Sequence, residues 1–263
     1  MAHIDIKQVN KSYGGGQRGA VTALENINLR VNDGEFVSII GPSGCGKSTL
    51  LYIVGGFVKA TQGEILVDNV PVKGPGRDRG VVFQEYALFP WRTVLANVTY
   101  GLERAGVGKR ERLEMAHAQI EAVGLKGFEH RYPKELSGGM KQRVAIARTL
   151  AYSPDVLLLD EPYGALDAQT REQMQDQLME IWGRTKTTVV MVTHDVNEAV
   201  YLSQRVVVMS ARPGTIVADI PVNLNHSGSR EDTMLSPEFN EIRNTIWLAV
   251  REEMHREESR AAS

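Results

Sequence analysis

The period of the apolar positions changes along the chain. HIDIKQV at 3–9 and LENINLRV at 24–31 alternate apolar and polar residues, which predicts strands with one buried face. FVSII at 36–40 is apolar and β-branched, with Asp-Gly-Glu before it and glycine after it, and predicts a buried strand. EILVD at 64–68 and GVVFQ at 80–84 continue the series. Between 85 and 152 the spacing lengthens to three and four. ERLEMAHAQIEAVGL carries Leu113, Ala116, Ile120 and Val123, with Gly124 as its stop, and MKQRVAIARTLAY carries Val144, Ile146, Ala147 and Leu150. Strand-like runs return at 156–160 (VLLLD), 187–193 (TTVVMVT) and 205–210 (RVVVMS). Helical stretches separate them, AQTREQMQDQLMEIW with Met174, Leu178 and Ile181 on one face. Strands alternating with helices, several of them apolar throughout, predict an α/β fold with a parallel sheet covered on both sides and a helical insertion.

Near the end, FNEIRNTIWLAVREEMHRE places Phe239, Ile242, Ile246, Val250 and Met254 in one stripe, predicting an amphipathic helix docked on the domain. NLNHSGSRED before it predicts an exposed loop, and ESRAAS after it a frayed end. No internal repeat or low-complexity linker interrupts the chain.

Composition narrows the classes. The 263 residues can bury a full core, and 42% hydrophobic with 24% charged residues is the ordinary globular balance. A net charge of -2 excludes a strongly basic nucleic-acid binder and an acidic tail. One cysteine, Cys45, permits no internal disulfide, which fits a reducing compartment. MAHIDIKQV has neither the basic nor the apolar region of a secretory signal, and the apolar runs are far too short to span a bilayer. Any membrane role must come through a partner.

GPSGCGKST at 41–49 concentrates three glycines, two hydroxyls and a lysine between an apolar strand and a helical run. It fits the phosphate-loop pattern in the context that pattern needs. Gly41, Pro42, Ser43, Gly44, Cys45 and Gly46 can turn their backbone around one anion, and the following helix start adds partial positive charge. Lys47 can reach the β- and γ-phosphates, and Ser48, followed by Thr49, can ligate Mg²⁺. The stretch predicts a triphosphate cage, against the alternative of a chance glycine turn. LLLDEP at 157–162 ends a buried strand in two carboxylates. Asp160 can hold Mg²⁺ through water, and Glu161 can orient or deprotonate a water for in-line attack. On its own such a strand end could equally be a solvated acidic turn. Cys45 reads as a small filler, and alkylating it should block nucleotide by bulk alone.

LSGGMKQR at 136–143, together with GPSGCGKST, LLLDEP, GALD at 164–167 and THD at 193–195, resembles the ATP-binding cassette (ABC) ATPases from about residue 4 to 222. The resemblance implies a P-loop NTPase fold with a RecA-like core, an antiparallel β subdomain and a helical signature subdomain at about 85–155. The ATPase domain would occupy 1–222, and a polar loop with an amphipathic helix 223–263. It implies ATP and Mg²⁺ as cofactors. Tyr13 resembles the aromatic that stacks on adenine. Gln84 resembles the glutamine that touches Mg²⁺ and the attacking water, giving a metal set of Ser48, Gln84 and Asp160. His194 resembles the switch histidine at the γ-phosphate, and Asp167 the link between two sites. Ser137, Gly138 and Gly139 open a helix and offer a second anion site, yet the chain has one phosphate loop. The family answer is a head-to-tail homodimer in which each signature caps the γ-phosphate bound by the other subunit. Glu161, His194, Gln84 and Lys47 would then be the catalytic set.

GPGRDRGVVFQ, LFPWRTVLANV, DEPYGALDAQTREQMQ and SARPGTI are similar to the importer ATPases for taurine, aliphatic sulfonates and nitrate, with Tyr163 where phenylalanine is common there. This implies integral-membrane permease subunits as partners, an extracytoplasmic solute-binding protein acting indirectly, no nucleic acid, and a peripheral position on the cytoplasmic face of the inner membrane. Taurine or an aliphatic sulfonate is the expected solute, with nitrate or a pyrimidine precursor as the alternative. LFPWRTVLANV would line the groove for a permease helix, unless Phe89, Pro90 and Trp91 pack internally. The residues after 222 are too few for a C-terminal solute-sensing domain. A soluble, non-transport ABC ATPase is the rival from another class, but such proteins usually carry two cassettes, coiled coils or zinc modules. A P-loop kinase or GTPase would lack LSGGM and Glu161.

Overall fold

The computed structural model describes residues 2–14, 20–164, 166–224 and 228–261. Its elements begin with β1 (Ile4–Tyr13), β2 (Val21–Val31), β3 (Phe36–Ile40), α1 (Lys47–Val54), β4 (Gln62–Val67) and β5 (Val70–Pro71). Next come β6 (Arg79–Val82), α2 (Val94–Arg104), α3 (Lys109–Ala122), a 3-10 turn at Pro133–Glu135, α4 (Gly138–Leu150), β7 (Val156–Asp160) and α5 (Ala168–Thr185). The chain closes with β8 (Thr188–Val192), α6 (Val196–Leu202), β9 (Arg205–Met209), β10 (Ile216–Pro221), α7 (Arg230–Leu235) and α8 (Pro237–Ala261). Contacts divide these into two units, Met1–Gly76 with Thr187–Ser263, and Arg77–Lys186.

In the first unit, β2-β1-β4-β5 form an antiparallel sheet. The alternation that predicts β1 and β2 is broken by bulges. Gln8 and Asn26 take positive φ (48° and 47°), so Leu24, Ile27, Leu29 and Val31 all reach the core. Asparagines close the gaps: Asn10 Oδ1 accepts from the Asn26 amide at 2.9 Å and Asn28 Oδ1 from the Gln8 amide at 3.0 Å. A second run, β10-β9-β3-β8, is parallel except for β10, which joins β9 antiparallel. β3 and β8 are buried along their whole length, as their uninterrupted apolar sequences require. Arg205 ties the sheet together by pairing with Glu35 at 2.5 Å and Asp219 at 2.7 Å.

In the second unit, β6 and β7 pair in parallel, and α2, α3 and α4 pack together as the helical part. Ala116, Ile120 and Val123 of the predicted stripe are buried, as are Val144, Ile146, Ala147 and Leu150. Gly124 takes φ +68° and its amide returns to Glu121 O at 2.9 Å, ending α3 where the sequence predicts a stop.

Several elements depart from the sequence expectation. β5, β10 and α7 are additional; β10 alternates only weakly and β5 has two residues. The polar stretch before α8 ends in helix, since Ser229 caps α7 through the Asp232 amide at 3.1 Å; residues 225–227 of that stretch lie outside the described ones. α8 continues to Ala261, beyond the fraying expected from 258; residues 262–263 are outside the described ones. Its stripe docks only in part. Phe239 and Ile246 are buried, but Met254 is 50% exposed, because a straight helix drifts away from a fixed four-residue spacing and Glu253 takes the inner position instead.

Candidate functional site

The first unit builds the phosphate loop. β3 ends at Ile40, α1 begins at Lys47, and residues 41–46 turn between them. Gly44 and Gly46 hold φ +74° and +104°. A Cβ on Gly46 would stand 2.6 Å from Leu24 Cδ2, and one on Gly41 2.7 Å from Met209 O. Glycine is therefore required here by the protein's own packing as much as by a ligand's approach. Lys47 is only 6% exposed; its ammonium donates to Gly41 O and Pro42 O at 2.9 Å each. It is a buried cation held at the mouth of a helix that has no side-chain cap, which is what an anionic ligand requires. Cys45 is buried, and burial pushes its thiol pKa up despite the neighbouring Lys47. The filler reading fits this, and the thiol is a poor target for alkylation.

A support for this loop escapes motif reading. The turn between β9 and β10 lies against it. A Cβ on Gly214 would meet Cys45 O at 2.1 Å, and Arg212 Nη2 donates to Gly44 O at 3.2 Å. SARPGTI thus braces the phosphate loop, a role that depends on a contact between residues 168 positions apart. His194 is exposed and shares a cavity of about 600 Å³ with Gly41, Pro42 and Ser43. Its neighbours are fixed: Thr193 Oγ1 donates to the buried Glu198 carboxylate at 2.7 Å and accepts from the Asp195 amide at 3.0 Å, while Asp195 caps α6. Tyr13 is half exposed at the end of β1, with Lys11 Nζ 4.7 Å from its ring centroid. It pairs with Val21, two residues before the Ala23–Leu24 step against which Gly46 packs.

The second unit carries the carboxylates. Asp160 is buried at the end of β7. Glu161 follows at φ +44°, a left-handed conformation that costs a non-glycine residue about 1–2 kcal/mol. Gln84 Nε2 donates to Glu161 Oε2 at 3.3 Å. β6 ends at Val82, so Gln84 lies in the turn beyond the strand that the sequence extends to it. That turn is strained, with Tyr86 and Ala87 at φ +61° and +47°, and it is clamped by Arg148 of α4. Nη1 of Arg148 donates to Ala87 O at 2.6 Å and Nη2 to Tyr86 O at 3.0 Å. Burial pushes the guanidinium's pKa below its ordinary value. Arg148 has no motif signature; only its place one helix turn inside the apolar stripe of α4 could have drawn attention.

Ser137 is the N-cap of α4, accepting from the Met140 amide at 3.3 Å, with Gly138 and Gly139 in the first turn. A Cβ on Gly139 would lie 2.4 Å from Thr170 Cγ2, so the glycine permits α4 to meet α5. Asp167 caps α5 through the Thr170 amide at 2.9 Å, and this hydrogen bond holds its carboxyl below the usual range. Phe89 packs on Tyr100 at 4.6 Å, with Arg92 beside both rings, whereas Trp91 is 72% exposed. The open question of that segment therefore divides: Phe89 packs internally and Trp91 faces out.

By chemistry alone, the Ser48 hydroxyl in the first unit and the Gln84 amide and Asp160 carboxylate in the second are each hard oxygen donors of the kind Mg²⁺ takes. Among the described residues no group of three or more His, Cys, Asp or Glu side chains forms a separate metal centre.

A family model described as ABC transporter matches residues 24–164. The chain is 55% identical over 234 residues to an uncharacterized ABC transporter ATP-binding protein of Methanocaldococcus jannaschii, covering 89% of this chain and 86% of that one. It is 53% identical over 222 residues to the nitrate import ATP-binding protein NrtD of Synechocystis (84% and 83% covered). It is 47% identical over 243 residues to the aliphatic sulfonates import ATP-binding protein SsuB of Bacillus cereus (92% and 94% covered). Its fold is similar, with TM-score 0.75 and 37% identity over 84% of this chain and 99% of the other, to a dimeric post-hydrolysis ATP-binding cassette bound to ADP and Pi. The chain belongs to the ABC transporter family and has its P-loop NTPase fold; it is an ATP-binding, ATP-hydrolysing cassette. Among the described residues no helix is long and apolar enough to cross a membrane.

Proposed function

We propose that this chain is the ATPase subunit of an importer for a small anion, working as a head-to-tail homodimer beneath membrane permease subunits on the cytoplasmic face. Mg²⁺, held by residues of this chain, would supply neutralisation of the charge that develops on the phosphates. Lys47 would neutralise the phosphates and Ser48 ligate the metal, with Asp160 and Gln84 completing its shell. Glu161 would take the proton of the attacking water, and His194 would contact the γ-phosphate. Tyr13 would stack on adenine. Ser137 to Gly139 would cap the γ-phosphate held by the other copy, with Asp167 linking the two sites. Loss of that phosphate would let the pair open and drive the permease.

The observation that carries this reading is the Gln84–Glu161 hydrogen bond at 3.3 Å, with Glu161 held at φ +44° directly after the buried Asp160. Backbone strain of this kind recurs at functional sites, which supports a catalytic role for Glu161. Glu161→Gln keeps the shape and should keep ATP binding while lowering phosphate release by roughly 10²–10⁴-fold. Turnover equal to the parent would remove Glu161 from the role.

For the solute, the sulfonate and nitrate relatives support uptake of a small oxyanion. An aliphatic sulfonate or taurine remains our first reading. Nitrate is the second, favoured by the 53% identity to the nitrate import protein. Growth of a deletion strain on sulfonate as sole sulfur source, or nitrate as sole nitrogen source, separates them.

A further inference from the structure

α8 has two apolar faces. Phe239 and Ile246 are buried where the helix meets α6 and β9. Trp247, Val250 and Met254, at spacings of three and four, form the other face, and Trp247 and Met254 are 49% and 50% exposed. Arg251 lies over the Trp247 ring at 5.1 Å and donates to His255 Nε2 at 3.3 Å, so a guanidinium rims this face.

The open face adjoins the phosphate loop. Val250, Met254 and Glu257 form one wall of the cavity of about 600 Å³ whose other wall is Gly41, Pro42, Ser43 and His194. Trp247, Arg251 and His255 extend it along the helix in a second cavity of about 320 Å³, with Val250 and Met254 shared between the two. The nucleotide face of the first unit thus runs without a break onto apolar side chains of α8.

We infer that this face of α8 docks a second copy of this chain and enlarges the ATP-dependent contact beyond the phosphate loop. The inference rests on the pairing proposed above. Its particular support is continuity: the cavity at His194, which the proposed pairing would cover, is lined also by Val250 and Met254. Two large side chains left half in water gain by being covered when that surface closes.

The test uses the full chain carrying Glu161→Gln, with and without Trp247→Ser and Met254→Ser together. Both positions are solvent-facing, so the fold should survive, which circular dichroism checks. Sedimentation velocity with Mg-ATP gives the dimer Kd, and a fluorescent ATP analogue titrated into dilute monomer gives the nucleotide Kd. The double substitution should raise the dimer Kd at least about tenfold and leave the monomer's nucleotide Kd within about twofold. An unchanged dimer Kd overturns the inference and leaves the pairing intact. A loss seen mainly in the monomer titration overturns it too, since the face would then serve nucleotide. If Glu161→Gln alone never pairs with ATP, the pairing itself fails and takes the inference with it.

Discussion

Removing Arg148 should disengage Gln84 without touching the nucleotide cage. Its two hydrogen bonds, at 2.6 and 3.0 Å, tie the Tyr86–Ala87 turn to α4. Bonds from a charged donor contribute about 1.5–3 kcal/mol each. The burial that lowers the guanidinium's pKa opposes part of this gain. Against that stand Tyr86 and Ala87 at positive φ, each costing about 1–2 kcal/mol. With the clamp the turn is near balance; without it the observed conformation is disfavoured by about 2–4 kcal/mol. Starting near balance, a cost of about 2 kcal/mol lowers its population about 15-fold. Arg148→Ala should therefore lower ATP turnover by about 10–100-fold, with nucleotide affinity unchanged and amide exchange accelerated over 84–88. Ala87→Gly, which removes one source of strain, should restore part of the rate. Parental turnover and unchanged exchange at 84–88 in Arg148→Ala would refute the clamp.

Gly46→Ala should lower ATP affinity at least about tenfold while the far-UV spectrum stays native, because φ +104° and a contact at 2.6 Å to Leu24 force the loop to move; equilibrium nucleotide titration checks it. Asp167→Asn should keep the cap on α5 but remove its pH dependence. The parent carboxyl has a depressed pKa in the fold, so its stabilisation is complete above the unfolded value of about 3.9 and is lost as pH falls through the lower folded value. The difference in Tm between parent and variant should stay flat from neutral pH to about 4 and change below it; a flat difference throughout would sink the assignment.

The continuous apolar runs VLLLD and TTVVMVT, and the stripes of α3 and α4, were legible because burial on all sides, or on one helical face, imposes its period directly on the sequence. The phosphate loop was legible because its glycines, lysine and hydroxyl sit within one short segment. Arg148, Arg212 and Glu198 were not, since each acts on backbone or side chains whose sequence distance or chemistry carries no fixed spacing. β5 and β10 lacked the signal because their faces are largely exposed. Met254 shows the limit of a period argument: the stripe leads correctly to a helix, and then over its edge onto an open face.

The central claim, that each ATP is completed by two copies of the chain, is tested most directly by mixing two inactive variants. Lys47→Ala spoils the phosphate loop and Ser137→Arg spoils the signature. In a mixed head-to-tail pair one site inherits both defects and the other neither. Phosphate release by the mixture should rise well above that of either variant alone, toward roughly a quarter of the parental rate if pairing is random. A mixture no more active than its components would mean that each chain hydrolyses ATP with its own signature, contradicting the account.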